Sequence, residues 1–168
     1  MLIQPSVKLE SSYRDYIKEL GSEERYPYPM DLDFSDFPAF VQLLTDYSYG
    51  KNLPSSLVPN TTFWLVENEE IIGCSHLRHM LNKSLWHAGG HIGLGVRPSF
   101  RGKGIGKRLL ALTIKKAQAM GISDIHIHCY QSNEASKTLI ASSGAVLHSS
   151  VGENDSDERV LRFVLNTH

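Results

Sequence analysis

Cysteine is scarce in this chain of 168 residues: only Cys74 and Cys129 occur. Two such residues make neither a disulfide framework nor a metal-binding spacing, and they read as reduced, packed thiols of a cytoplasmic protein. Net charge is nearly absent too, because 17 Lys and Arg against 18 Asp and Glu leave −1 at pH 7. No global field therefore recruits nucleic acid or a membrane surface. No run of 18 apolar residues exists, so no membrane span is expected. The opening MLIQPSVKLE lacks a basic stretch followed by an apolar core, so no signal peptide is expected. Repeats, low-complexity tracts and linkers are also missing. The remainder is ordinary globular composition, 41% hydrophobic and 21% charged, at a length that suits one domain with its own core.

Hydrophobic spacing divides the chain. VKLE at 7–10 reads as a first strand, and Ser12 reads as the cap of a helix with Asp15 at the capping-box position. Tyr13, Tyr16, Ile17 and Leu20 give that helix one apolar face. A loop rich in Pro and acid follows at 21–31. Then comes a second helix, capped by Ser35, with Phe37, Phe40, Val41 and Leu44 as its stripe and Pro38 in its first turn. From residue 61 the texture becomes strand-like. TTFWLVE (61–67) and IIGCSHLRHM (71–80) read as a hairpin, 81–90 as a connection, and HIGLGV (91–96) as the next strand. A helix over 104–120 stops at Gly121, a strand follows at 124–130, and a helix over 133–143 stops at Gly144. AVLHSSV and RVLRFVL close the chain as a hairpin. The order predicts an α/β (α+β) fold with a mixed, largely antiparallel sheet.

The densest chemistry lies in RPSFRGKGIGKRLL, 97–110. Gly102, Gly104 and Gly106 stand at alternate positions, interleaved with Arg101 and Lys103 and followed by Lys107 and Arg108, where a helix begins. A helix N-terminus carries unpaired N–H groups and partial positive charge. Glycines clear the approach and permit positive φ. Together they make a site for phosphate or pyrophosphate. The spelling is not a P-loop, since Arg101 stands where the first glycine belongs and Arg108 where Ser or Thr belongs. It is not a dinucleotide fingerprint either, since Leu109 replaces the third glycine. The neutral net charge and the lack of interleaved aromatics argue against a nucleic-acid or phosphoprotein surface here.

GLGVRPSFRGKGIGKRLL resembles the signature of the GNAT superfamily of acyl-CoA-dependent N-acyltransferases: a strand, Val-x-Pro, then [QR]-x-x-G-x-[GA] opening a helix. ENEEIIGCSHLR is similar to that family's preceding hairpin, and NEASKTLIASSGA to its next helix. The resemblance implies one domain over 1–168: a variable acceptor side at 1–60, an acyl-CoA core at 61–147 and a closing hairpin at 148–168. It implies a sheet that splays at the cofactor site. Acetyl-CoA would be the co-substrate, with no metal. Arg101, Gly102, Lys103, Gly104, Ile105, Gly106 and Lys107 would hold the pyrophosphate. Leu94, Gly95 and Val96 would run beside the pantetheine, with Gly93 and Gly95 leaving one strand face bare for a ligand. Asn133 and Ser136 would border the CoA arm. The family's Tyr acid, seven residues after this Asn, is Ile140 here, and isoleucine donates no proton. Tyr130 and Ser132 are neighbouring substitutes.

The implied reaction is direct attack of an amine on the thioester, with the Val96 amide polarising the carbonyl. Amines with pKa about 8 to 10.4 are mostly protonated at neutral pH, so a base is useful. His91, on the side of Gly93 and Gly95, is the first candidate. His76, His79, His87 and Glu67 rank behind it. Histidines 126 and 128 share a strand face without a nearby carboxylate, which does not make a metal site. The loops with Glu23, Glu24, Asp31, Asp33, Asp36, Tyr26, Tyr28 and Phe34 form an acidic, aromatic mouth suited to a cationic amine. Ile140 equally fits an acyl-CoA-binding sensor with little turnover. A homodimer through the closing strands stays open.

Overall fold

Two antiparallel sheets meet along one line, and the helices are arranged around the gap between them. In the computed structural model, which describes residues 1–153 and 156–167, the first sheet runs β1 (Leu2–Ile3), β2 (Asn60–Glu67), β3 (Glu70–Arg78), β4 (Ile92–Val96) in that order. The second places β7 (Arg159–Asn166) between β5 (Asp124–Tyr130) and β6 (Val146–Gly152). Helices α1 (Glu10–Leu20), α2 (Phe37–Ser48), α3 (Lys83–His87), α4 (Ile105–Ala119) and α5 (Glu134–Ser142) flank them. The strand pairs inside each sheet are antiparallel rather than mixed. The two sheets are joined by an isolated bridge of Gly90 with Ile127 and a 2.7 Å bond from His91 N to His126 O, just before β4 and midway along β5. Beyond that vertex they diverge, which is the expected splay.

Two cores hold this frame, one on each face of the first sheet. On one face α4 buries Leu110, Ile114 and Ala117 against Leu77, Ile92, Ile125 and Ile127. On the other, Tyr13, Tyr16, Phe37 and Phe40 of α1 and α2 pack on Trp64 and Cys74. Because both faces are covered, β2 and β3 are buried almost throughout rather than at alternate positions. Each such large side chain contributes roughly 1.5–3 kcal/mol of burial.

Several local expectations are corrected. Residues 7–10 are not a strand: Val7–Leu9 form a single 3-10 turn, capped by Ser6, that runs straight into α1. The strand lies earlier, where Leu2 and Ile3 pair with Leu65 and Trp64. Ser12 is therefore inside α1, and its hydroxyl accepts from Ile71 N at 2.8 Å, tying the helix to β3 instead of capping it. Asp36, not Ser35, caps α2 by accepting from Ala39 N. The connection at 81–90 contains α3, capped by Asn82. The histidine face of β5 is as buried as its isoleucine face, with His126 and His128 at 4% and 8% exposure, because Trp86 of α3 lies 4.3 Å from the His126 ring.

Candidate active site

The glycine turn has the form its spelling requires. Gly102 and Gly104 take φ of +74° and +77°, and a Cβ built on either meets nothing within 4 Å. They serve the left-handed backbone, and the outer side of the turn is open. α4 starts at Ile105 with Gly104 as its cap residue, no capping side chain and no acid in its first turn. The amides of Ile105, Gly106 and Lys107 thus have no intrahelical acceptor, at the positive end of a helix of 15 residues. Gly106 is different: its Cβ position is 3.5 Å from Leu139 and 3.6 Å from Val96, so it lets α4 lie close to β4 and α5.

The basic side chains are less free than the sequence suggests. Arg101 forms a two-pronged pair with Glu23 at 2.8 and 3.2 Å and donates from Nε to Val96 O at 3.0 Å. Arg108 pairs with Glu67 at 2.9 Å, so Glu67 is spoken for as a salt-bridge partner. Lys103 bonds Ser99 O and sits over the Phe100 ring. The anion-binding capacity of the turn rests chiefly on its amides.

Hydrogen bonding fixes which edge of β4 is open. Arg78 N donates to His91 O and Arg97 N to Ile72 O, so the odd-numbered residues turn their polar groups to β3 and Leu94 and Val96 turn theirs to the gap. Gly93 and Gly95 face away from α4. Their register with β3 is continuous, so neither marks a bulge. A Cβ at Gly93 falls 2.7 Å from the Tyr26 hydroxyl, and one at Gly95 falls 2.5 Å from Tyr26 O. The close approach these glycines permit is made by the loop between α1 and α2, not left bare for a ligand.

Beside the end of β5 lies a cleft of about 420 Å³, with Tyr26, Arg78, His128, Cys129, Asn133 and Ser136 among its walls. Asn133 caps α5, its Oδ1 accepting from Ser136 N at 3.0 Å. Tyr130 stands at the mouth and donates to Glu153 at 3.3 Å. Ser132 is exposed, with its amide on Glu158. Ile140 is 4% exposed within the core around Leu110 and Phe163; it takes part in packing, and no donor replaces it there. A neighbouring groove of about 440 Å³ is lined by Glu23, Glu24, Arg25, Tyr26, Tyr28 and Asp31. Asp33, Asp36 and Phe34 do not join it: Asp33 accepts from Ser35 N, Asp36 caps α2, and Phe34 packs on Tyr13.

The histidines occupy structural positions. His91 is 6% exposed and its Nδ1 accepts from His126 N at 2.9 Å. Its proton is therefore on Nε2, and no free lone pair remains for an amine proton. Burial, aided by His126 and Arg78, pushes its pKa down to about 4. His76 bonds Asn60 and burial pushes it to about 3. His79 bonds Thr61, and His87 is exposed at the end of α3. His126 and His128 bond one another at 3.3 Å. Among the described residues no group of three or more His, Cys, Asp or Glu is placed to hold a metal ion.

Two cleft residues carry more weight than sequence reasoning gave them. Tyr26 appeared only as part of an acidic, aromatic mouth, and its packing on Gly93 spans a distance no local pattern encodes. Arg78 was not singled out. Its signal was a lone cation ending an apolar strand, on the side of Cys74 and His76.

A strand edge left open beside a bare helix N-terminus, across a gap from a second sheet, is a geometry that can receive an extended chain with an anionic end. Residues 15–144 match the acetyltransferase (GNAT) family, and the chain belongs to that family. The match reaches back over α1 and α2 as well as the glycine turn. The enzyme is accordingly an acyl-CoA-dependent N-acetyltransferase with acetyl-CoA as co-substrate. Solved structures share its fold. The RimJ protein of Mycobacterium smegmatis in complex with CoA-disulfide is 16% identical, with TM-score 0.71 over 98% of this chain and 80% of that one. The ribosomal-protein-S5-alanine acetyltransferase of Vibrio fischeri is 19% identical, with TM-score 0.69 over 99% and 91%. The yncA protein of Salmonella typhimurium, solved with acetyl-CoA, is 16% identical, with TM-score 0.64 over 99% and 92%. No curated protein matches the chain. Among the described residues no helix is long and apolar enough to cross a membrane.

Proposed function

We propose that the amides of Gly102 to Lys107 receive the pyrophosphate of acetyl-CoA, with Arg101 bracing the turn against Glu23. The observation that carries this reading is the uncapped start of α4 beside the gap-facing edge of β4, with the polar groups of Leu94 and the amide of Val96 turned to the gap and the Val96 carbonyl held by Arg101 Nε. On that edge Leu94 and Val96 bond the pantetheine amides as a neighbouring strand would, and Gly95 keeps the strand flat against Tyr26. Asn133 and Ser136 border the arm from the opposite wall. The Val96 amide points into the gap and polarises the thioester carbonyl. The acceptor amine approaches over Tyr26 and Tyr28 and attacks directly, so neither cysteine is needed. His91 holds the vertex of the gap through its bond to His126 rather than acting as the base. Tyr26 gives its proton to the departing sulfur in place of the absent Tyr at 140; a phenol, of ordinary pKa about 10, carries that proton at neutral pH. Residues 1–60 supply the acceptor wall, 61–147 the acyl-CoA half and 148–168 the closing hairpin. Free Cys74 and Cys129 suit a reducing cytoplasm. The unpaired outer edge of β6 suits a homodimer contact.

The test is release of CoA thiol from acetyl-CoA over a panel of primary amines. Turnover is expected with at least one class, and Tyr26→Phe should lower kcat about 100-fold while leaving acetyl-CoA affinity unchanged. A second reading, an acyl-CoA sensor, is favoured by Ile140 alone. Tight acetyl-CoA binding with no turnover on any amine supports that reading instead.

A further inference from the structure

Arg78 ends β3 at the floor of the cleft. Ser75 bonds Thr113 of α4 and Leu77 packs with that helix, so Arg78 lies on the opposite face of the strand, with Cys74 and His76. That is the face of Gly93 and Tyr26, where the acceptor approaches. Arg78 is the one Lys or Arg among the described residues lining this cleft. Its Nη1 donates to Gly89 O at 3.0 Å and Gly90 O at 3.1 Å. These two carbonyls hold one prong of the guanidinium, and no acid pairs with it among the described residues. The other large cations of the site, Arg97, Arg101 and Arg108, each have a Glu partner. Arg78 is half-buried, and burial lowers its pKa. A half-buried guanidinium of this kind gains from an anionic partner. Its planar fork, with Nε and Nη2 uncommitted to acceptors among the described residues, matches a carboxylate in two-pronged geometry. The same cleft is lined by Glu24, whose carboxylate suits an ammonium group, whereas Glu23 is held by Arg101.

We propose that the acceptor is a free amino acid or a close analogue, with its carboxylate on Arg78 and its amino group toward the acidic mouth. This rests on the reading of the cleft as the acceptor site. The cleft, about 420 Å³, is shared with the end of the CoA arm along Asn133 and Ser136, which leaves room for a small acceptor on the Arg78 side. In the transfer, a bond forms between the amino nitrogen and the acetyl carbonyl carbon and the carbon–sulfur bond breaks. The ammonium loses two protons, one passed to the sulfur and one to solvent. The products are an N-acetyl amino acid and free CoA. A diamine without a carboxylate leaves Arg78 unpaired and is a poor acceptor.

The experiment is calorimetry on the full chain, in two stages. CoA is titrated first. Then N-acetylglycine, N-acetylalanine and N-acetylphenylalanine, each beside its primary amide, are titrated into the CoA-loaded protein. At least one acid should bind about 10- to 100-fold more tightly than its amide, the range of a charge-assisted pair. Arg78→Gln should bind CoA as before and lose that preference, and Arg78→Lys should keep part of it. CoA release with free amino acids and with amino acid amides should follow the same order. Binding of CoA with equal or no binding of acids and amides overturns the proposal alone, whatever the variants do. So does a preference that survives Arg78→Gln. Failure of the wild type to bind CoA overturns the site reading, and this proposal falls with it.

Discussion

Gly104 offers a pair of substitutions that separates charge from shape. At φ +77° an L-residue is strained, and Asn and Asp tolerate that region better than other non-glycine residues. A Cβ there meets nothing within 4 Å, so Gly104→Asn and Gly104→Asp have the same room and nearly the same volume. Each should cost about 1 kcal/mol of backbone strain, or roughly 2–4 °C in Tm for a chain of this size. They differ by one negative charge at the helix start. A carboxylate about 5 Å from one phosphate charge, at an effective dielectric between about 20 and 40, loses about 2–3 kcal/mol. Gly104→Asp should therefore bind acetyl-CoA about 10- to 100-fold more weakly than Gly104→Asn. Calorimetry gives the affinities, and thermal melts show that both variants fold alike. Equal affinities with matched melting would refute an anion at this turn.

Three further outcomes follow from the packing. His91 has a folded pKa of about 4 against about 6.5 unfolded, so its contribution is whole above about pH 6.5 and falls away as the pH drops toward 4, by about 3 kcal/mol. His91→Asn, whose amide oxygen can accept the His126 N–H, should flatten urea stability between pH 7 and pH 4; parallel profiles contradict the burial argument. Ile140→Ala empties part of a core position that is 4% exposed and should cost about 2–5 kcal/mol, with acetyl-CoA affinity unchanged in the folded fraction; a selective loss of affinity would put Ile140 at the site instead. Gly95→Ala should destabilise more than Gly93→Ala in urea, because its Cβ meets the Tyr26 carbonyl whereas the Gly93 Cβ meets a hydroxyl at the end of a side chain. The reverse order would mean the 26–27 segment yields more easily than the tyrosine ring.

What was legible in the sequence is what lies within one turn of chain. The α1 face of Tyr13, Tyr16, Ile17 and Leu20 is buried as its period requires. The glycine turn could be read because its backbone geometry is written in its own residues. A strand of two residues carries no period, so Leu2–Ile3 was missed. Ser12 has the residue type of a cap, but its partner, Ile71, comes 59 residues later. The charges around the turn were misjudged for the same reason, since Arg101–Glu23 and Arg108–Glu67 span 78 and 41 residues. The alternation on β5 put His126 and His128 on one face, but what covers that face, Trp86 of α3, lies about 40 residues earlier in the chain. The positive-φ turn opening α4 and the strand before it are where their spelling puts them, while the places of Tyr26 and Arg78 depend on which loops and strands meet around the cleft.

The central claim is that the turn opening α4 and the free edge of β4 hold acetyl-CoA. It is tested most directly by titrating acetyl-CoA, and separately S-acetylpantetheine, into the wild-type protein by calorimetry. The account predicts that acetyl-CoA binds and that S-acetylpantetheine, without the pyrophosphate, binds far more weakly. No binding of acetyl-CoA, or equal binding of the two, would contradict it.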